Sequence, residues 1–390
     1  SYTNRAVDEI CKTLSAITPE IDFIRIGSEL SCDIPFRSHL IENVLESCSS
    51  RREVHACIER CRVFVGTVAT FSSKTDMFRL KTFDVAIVDE ATQILEPQLL
   101  GLLCARNVVG NNAIGKFILI GDHKQLPAVV LQSESQSEVC EECLQSIGLY
   151  NLKDSLFERL YRTVSANHSS PTTQRFYDML CRQGRMNVEV ARFPNHAFYG
   201  GLLEAVGLPH QQGELVLAPG LESDEFADVL VSRVAFLPSV PETPSQSAKI
   251  NHSEAQLTAR LAAAVYRQYE ASGSGFHSAL TLGVITPYRS QIALIKSEIA
   301  ALGIPVLNDI LVDTVERFQG SERDVIIYSF CVNRTYQLKF LANLTEERGV
   351  WIDRKLNVAL TRARKQLFMT GVPHLLRQNP IYADLLDTVL

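Results

Sequence analysis

The sequence predicts an α/β chain whose strands lie in parallel sheets. Two apolar runs carry that prediction. Asp84-Val85-Ala86-Ile87-Val88 runs into Asp89-Glu90-Ala91-Thr92-Gln93, and Phe117-Ile118-Leu119-Ile120 runs into Gly121-Asp122-His123-Lys124-Gln125-Leu126-Pro127. Continuous Val/Ile/Leu runs read as buried parallel strands, and the carboxyl ends of such strands face a ligand crevice. The third observation is the alternation of short apolar runs with helical stretches along the chain, the pattern of a parallel sheet with crossover helices.

The elements follow in order. Residues 5–14 read as helix and 21–26 as strand. Residues 35–60 are polar and helical in pattern, a small excursion, and Val63-Phe64-Val65-Gly66-Thr67 is the next short strand. The two acid-tipped strands come after it. Residues 132–142, rich in Ser, Glu and Gln, read as a mobile loop. Residues 163–173, small and polar, read as a linker near the passage into a second domain, and 238–247, rich in Pro and Ser, as another loop. A second α/β series then has strands at 282–286, 310–314, 325–330 and 366–370 and helices at 254–269, 290–302 and 353–364.

Composition narrows the function. At 390 residues the chain accommodates two domains of ordinary size, and its 46% apolar content is that of a soluble globular protein. No apolar run reaches the roughly 18–20 residues of a membrane span. The formal charge of −6 gives no global attraction to nucleic acid, so any phosphate-binding surface must be a local groove. The ten cysteines are scattered, and reduced thiols are the simpler reading. Cys140 and Cys143 have zinc-type spacing without a second pair nearby. The opening Ser1-Tyr2-Thr3-Asn4-Arg5 has no signal-peptide layout and reads like the middle of a fold.

The strand ends carry the chemistry. Asp-Glu on one strand and Gly-Asp-x-x-Gln on the next suggest a metal–nucleotide site, in which one carboxylate holds Mg²⁺ and another activates water. Two solvated acid-tipped core strands would be the plainer explanation of Asp-Glu alone. Further motifs follow: Tyr2-Thr3-Asn4, Gln183-Gly184-Arg185-Met186, Thr286-Pro287-Tyr288-Arg289-Ser290-Gln291, Thr314-Val315-Glu316-Arg317-Phe318-Gln319-Gly320-Ser321-Glu322 and Leu356-Asn357-Val358-Ala359-Leu360-Thr361-Arg362-Ala363-Arg364. In this order and spacing the chain resembles a superfamily 1 helicase, in the branch of the nonsense-mediated-decay helicase and senataxin.

That resemblance implies two RecA-like parallel-sheet domains in tandem, with ATP in the cleft between them. Residues 1–151 would form the first, N-terminally incomplete, and 152–390 the second. By resemblance, Asp89 holds Mg²⁺, Glu90 is the base for the attacking water, and Gln125 senses the γ-phosphate. Arg185 and Arg362 are arginine fingers, planar cations suited to a transferring phosphoryl group. Arg362 and Arg364 stand two apart on the expected helix, about 200° around it, so one of them faces the phosphate, and the family pattern selects Arg362. A surface cation with a carboxylate partner is the plainer explanation for either finger. Gln319, Gly320 and Glu322 would lie against the nucleotide. Thr3, Asn4, Thr67, Thr286, Tyr288 and Thr314 would line the track of a single strand of DNA or RNA, the hydroxyls and amide on phosphates and Tyr288 on a base.

Two departures stand out. Gln183-Gly184-Arg185-Met186-Asn187 replaces the branch's Gln-Tyr-Arg-Met-His, and Glu316 stands where an Asp is common. The phosphate loop G-x-x-G-x-G-K-[ST] does not occur in the chain, which implies a fragment that begins after it and binds ATP poorly alone. The implied activity is ATP-driven helicase or translocase action, 5′→3′ by resemblance to the branch, in the cytoplasm or nucleus. The rivals are a nucleic-acid-binding scaffold without ATPase and a nucleic-acid-stimulated remodelling ATPase that does not unwind.

Overall fold

The computed structural model describes residues 1–17, 21–166, 176–242, 248–347 and 349–390. The chain forms two compact units, Ser1–His123 with Pro127–Asp178, and Lys124–Leu126 with Met179–Leu390.

The first unit opens with helix α1 (Asn4–Ile17), whose Val7 and Cys11 pack on Phe23 and Val65. Strand β1 (Phe23–Ile26) pairs in parallel with β2 (Val63–Gly66), and β3 (Phe83–Val88) with β4 (Ile114–Leu119). Between β1 and β2 lie short helical turns and helix α2 (Arg51–Arg60), which realise the polar excursion. Helices α3 (Glu96–Leu103) and α4 (Leu156–Ala166) follow. Arg25, fully buried on β1, is held by Asp8 of α1 at 2.9 Å.

In this chain β3 and β4 are covered on one face. Their register sets Ala86 opposite Phe117 and Val88 opposite Leu119 on the core side. The other face sets Ile87 opposite Ile118, and these are 62% and 40% exposed.

The second unit contains the small parallel pair β5 (Arg182–Gln183) and β6 (Glu204–Ala205), flanking helix α5 (Val188–Tyr199). Its main sheet is parallel throughout, in the order β7, β13, β10, β8, β9. The strands are β7 (Val234–Pro238), β8 (Leu282–Ile285), β9 (Leu311–Asp313), β10 (Arg323–Ser329) and β13 (Ala363–Gly371). Val325 and Ile327 pack with Ile295 and Ile299, while Ile326 and Tyr328 pack with Leu356, Leu385 and Leu386. Here both faces are covered, by helices α6 (His252–Ala271) and α7 (Arg289–Ala301) on one side. Helices α5, α10 (Arg354–Leu360) and α11 (Pro380–Val389) cover the other. The single-turn helices α8 (Val315–Phe318) and α9 (Leu338–Leu341) and the antiparallel hairpin β11 (Leu344–Glu347) and β12 (Val350–Asp353) complete the unit.

Two further expectations change. The helix expected over 353–364 ends at Leu360; Thr361 and Arg362 turn, and Ala363 begins β13. The Thr361 hydroxyl donates back to Asn357 O at 2.8 Å, a side-chain-to-backbone bond that competes with continuing the helix. Arg362 and Arg364 therefore do not share a helix, and the angular argument that separated them lapses. The expected loop 132–142 contains a helical turn, Glu134–Ser137. Of the expected linker 163–173, residues 163–166 close α4 and the rest lies outside the described residues. The same holds for 243–247 of the expected loop 238–247.

Candidate functional site

In the first unit the acid pair stands where β3 ends. Glu90 has φ 55° and ψ 39°, left-handed backbone that a non-glycine residue seldom adopts. Holding it there costs about 1–3 kcal/mol, and such positions cluster at working sites. Gln93 Nε2 donates to Glu90 Oε2 at 2.7 Å. Backbone bonds from Ala91 N to Ile120 O and from Ile120 N to Val88 O, both 2.8 Å, fasten the end of β4 beside this turn. A Cβ on Gly121 would sit 3.0 Å from Thr92 Cγ2 and 3.1 Å from Thr92 N, so glycine lets the two strand ends close up. The structure thus brings Asp89-Glu90 and Gly121-Asp122 together, and His123 packs on Tyr161 with ring centroids 4.4 Å apart and the planes tilted by 31°.

The expected strand-binding residues of this unit gather at the ends of β1 and β2. Thr3 Oγ1 accepts from Ala6 N and caps α1, next to Asn4. Thr67, buried, accepts from Thr70 N at 3.2 Å and caps the helix Val68–Ser73. Val68 N donates to Ser1 O at 3.0 Å, which lays the start of the chain beside Thr67.

In the second unit the expected residues divide between the two edges of the main sheet. At the edge where β10 and β13 begin, Arg362 is 2% exposed and turned inward. Its Nε donates to Val358 O at 3.1 Å and its Nη2 to Gln125 Oε1, also at 3.1 Å. The surface-cation explanation does not describe a side chain so placed. Arg185 is partly exposed, and its Nε meets Glu322 Oε2 at 2.8 Å, with Arg364 Nε 3.4 Å from the same carboxylate. Here an exposed cation does have a carboxylate partner, an arrangement worth about 0–1 kcal/mol. Gln319 Nε2 is buried without a hydrogen-bond partner among the described residues, and Gly320 (φ 72°) turns the chain beside it. Phe318 packs against Gly283: a Cβ there would come within 2.6 Å of Phe318 Cε1.

At the opposite edge, where β8 and β9 end, stand Thr286, Tyr288 and Thr314. Thr286 is fully buried, and its Oγ1 has no partner among the described residues. Tyr288 is half-buried, burial pushes its phenol pKa up, and its hydroxyl accepts from Gln337 Nε2 at 3.3 Å. Thr314 precedes α8, and Glu316 hydrogen-bonds its side chain. The four residues of α8 link the two edges.

Sequence reasoning missed Asn357. Fully buried in α10, it donates through Nδ2 to Lys124 O at 2.8 Å and to Tyr199 Oη at 2.9 Å, so it fixes the segment that carries Gln125. Its signal was present: an amide inside the apolar run Leu356-Asn357-Val358-Ala359-Leu360 has to find polar partners. Among the described residues no three His, Cys, Asp or Glu side chains cluster to hold a metal, and no helix is long and apolar enough to cross a membrane.

Residues 152–374, more than half of the chain, match a family model described as AAA domain, and residues 41–133 match another of the same description. The chain belongs to the AAA-domain family of superfamily 1 helicases. This AAA-domain chain is 29% identical over 409 residues to the mouse (Mus musculus) DNA replication ATP-dependent helicase/nuclease DNA2, which takes in 99% of the chain and 34% of that protein. It is 29% identical over 309 residues to the uncharacterized ATP-dependent helicase MJ0104 of Methanocaldococcus jannaschii, covering 78% of the chain and 38% of that protein. A 26% identity to the DNA polymerase alpha-associated DNA helicase A of Saccharomyces cerevisiae covers 87% of the chain and 43% of that protein. The chain thus spans about a third of the length of its mouse and Bos taurus relatives. The mixed α/β build with a parallel five-stranded sheet agrees with the fold expected from the motifs.

Proposed function

We propose that the chain is part of the motor region of an ATP-dependent helicase or translocase that moves on single-stranded DNA or RNA. The observation that carries this reading is Arg362: a guanidinium buried at the foot of β13 with one nitrogen on the Gln125 side-chain oxygen. A cation and a neutral amide joined in this way can meet a terminal phosphate and its attacking water without repelling either.

The unpartnered Gln319 Nε2 fits a nucleotide, since a buried donor left without a partner costs about 1–3 kcal/mol that a bound acceptor relieves. On this reading Gln319, Gly320 and Glu322 lie against ATP. Arg185 leaves Glu322 for the phosphates at small cost, because exposed ion pairs are weak. Asp89 would hold Mg²⁺; a single protein carboxylate suits that ion, which takes its other ligands from phosphate and water. The metal supplies charge neutralisation at the phosphates. Glu90, fixed by Gln93 and its left-handed backbone, accepts the proton of the attacking water.

Thr3, Asn4 and Thr67 in one unit and Thr286, Tyr288 and Thr314 in the other bind the strand. The motifs resemble the nonsense-mediated-decay and senataxin branch, and that resemblance implies 5′→3′ movement, in the cytoplasm or nucleus. The relatives are named as ATP-dependent helicases, which supports ATP use and a nucleic-acid substrate. Single-turnover unwinding of tailed duplexes tests polarity and unwinding together. Separation only of duplexes with a 5′ tail is expected. ATPase activity without separation of any duplex would favour remodelling instead.

A further inference from the structure

Past β10 the chain turns through residues 331–334, a 3₁₀ turn (Thr335–Gln337) and α9. The inner side of this segment is pinned. Gln337, 1% exposed, accepts from Asn333 N and Arg334 N at 2.9 Å each, and donates to Ala248 O at 2.7 Å and to the Tyr288 hydroxyl. Leu338 and Leu341 are buried beside it.

The outer side is unusual for a solvated surface. Tyr336 and Phe340 are 55% and 64% exposed, with ring centroids 6.5 Å apart at 86°. Arg334 and Lys339 lie among them, exposed, and neither forms an ion pair among the described residues. Residues 331–343 contain these two cations and no acid, in a chain whose formal charge is −6.

Exposed rings interleaved with unpaired cations are the chemistry of single-strand recognition, bases on π-faces and phosphates on cations. We propose that this turn extends the track beyond Tyr288, with bases stacking on Tyr336 and Phe340 and phosphates held by Arg334 and Lys339. The occupant is a single strand of nucleic acid, since paired bases present no face to stack. The inference rests on the reading of Tyr288 as a strand contact, and the Gln337 bond to its hydroxyl ties this turn to Tyr288.

The test is fluorescence anisotropy of labelled oligo-dT and oligo-U titrated with the chain over a range of salt. Tyr336→Ala with Phe340→Ala is expected to weaken binding at least about tenfold. Tyr336→Trp with Phe340→Trp is expected to retain it, a rescue that a packing role would not give. Lys339→Gln should lower the log–log salt slope by about 0.7. Unchanged affinity in the double alanine variant, with Tyr288→Ala still weakening binding, would overturn this inference and leave the proposed function standing. Equal loss in the alanine and tryptophan variants would also overturn it, as would loss of self-association with strand binding intact. No binding by the unaltered chain would overturn the proposed function itself, and this inference with it.

Discussion

Glu254 is a carboxyl group fully buried in the first turn of α6, with no cation beside it. Its Oε1 accepts from Ser239 Oγ at 3.2 Å, and its Oε2 from Ser329 Oγ at 2.8 Å and Cys331 N at 2.9 Å. Burial outweighs these donors and pushes its pKa from 4.5 to about 7. Because the folded value lies above the unfolded one, the folded unit binds more protons between pH 4.5 and 7. Its stabilising contribution is complete below 4.5 and is lost as pH rises through 7. At about 1.4 kcal/mol for each tenfold change, the loss amounts to about 3 kcal/mol. Glu254→Gln removes the charge and keeps the shape: its oxygen can accept from Ser329 and Cys331, and its nitrogen can donate to Ser239. Urea unfolding followed through Trp351, the chain's single tryptophan, reports on this unit. The variant should match the parent near pH 5 and exceed it by about 2–3 kcal/mol at pH 8. Parallel curves from pH 5 to 8, or a variant less stable at pH 8, would refute the reasoning.

Arg362→Lys keeps a charge but loses the planar fork that reaches both Val358 O and Gln125. Turnover should fall by at least about 10³ in steady-state ATP hydrolysis; a drop under tenfold would remove Arg362 from the chemistry. Gly283→Ala drives a methyl group into the Phe318 ring and should cost about 1–3 kcal/mol in chemical denaturation. It should also slow hydrolysis by displacing the Gln319–Gly320 turn that follows Phe318. Tyr288→Phe removes the acceptor for Gln337 Nε2 but keeps the ring. Single-strand affinity measured by anisotropy should change less than threefold, whereas Tyr288→Ala should weaken it by about fivefold or more.

Much of the fold was legible because four of the five strands of the main sheet contain an apolar run bounded by turn residues. The run Val325-Ile326-Ile327-Tyr328 is covered on both faces and reads as such. The same kind of run at Val85–Val88 is covered on one face in this chain. β7 was missed because Val234-Ala235-Phe236-Leu237-Pro238 is short and ends in proline, which is tolerated since β7 lies at the edge of the sheet. The hairpin β11–β12 was missed because Leu344-Thr345-Glu346-Glu347 has acids where a strand signal needs alternation. The end of α10 was missed because Thr361-Arg362-Ala363-Arg364 holds no Gly or Pro, and pairing of β13 with β10 overrides its helical propensity. Among the candidate site residues, the motifs named Asp89, Glu90, Gln125 and Arg362 by type and order. They could not show that Gln125 and Arg362 touch, that Arg185 meets Glu322, or that Asn357 holds Lys124, because those contacts join residues more than a hundred positions apart.

The central claim is a nucleic-acid-driven ATPase with Glu90 as its base. The most direct measurement is steady-state ATP hydrolysis by the full-length parent protein with and without single-stranded DNA and RNA, beside Glu90→Gln. Stimulation by one polymer, abolished in Glu90→Gln while ATP binding persists, is the expected result. Hydrolysis at parental levels in Glu90→Gln, or none with either polymer in a protein that binds ATP, would contradict it.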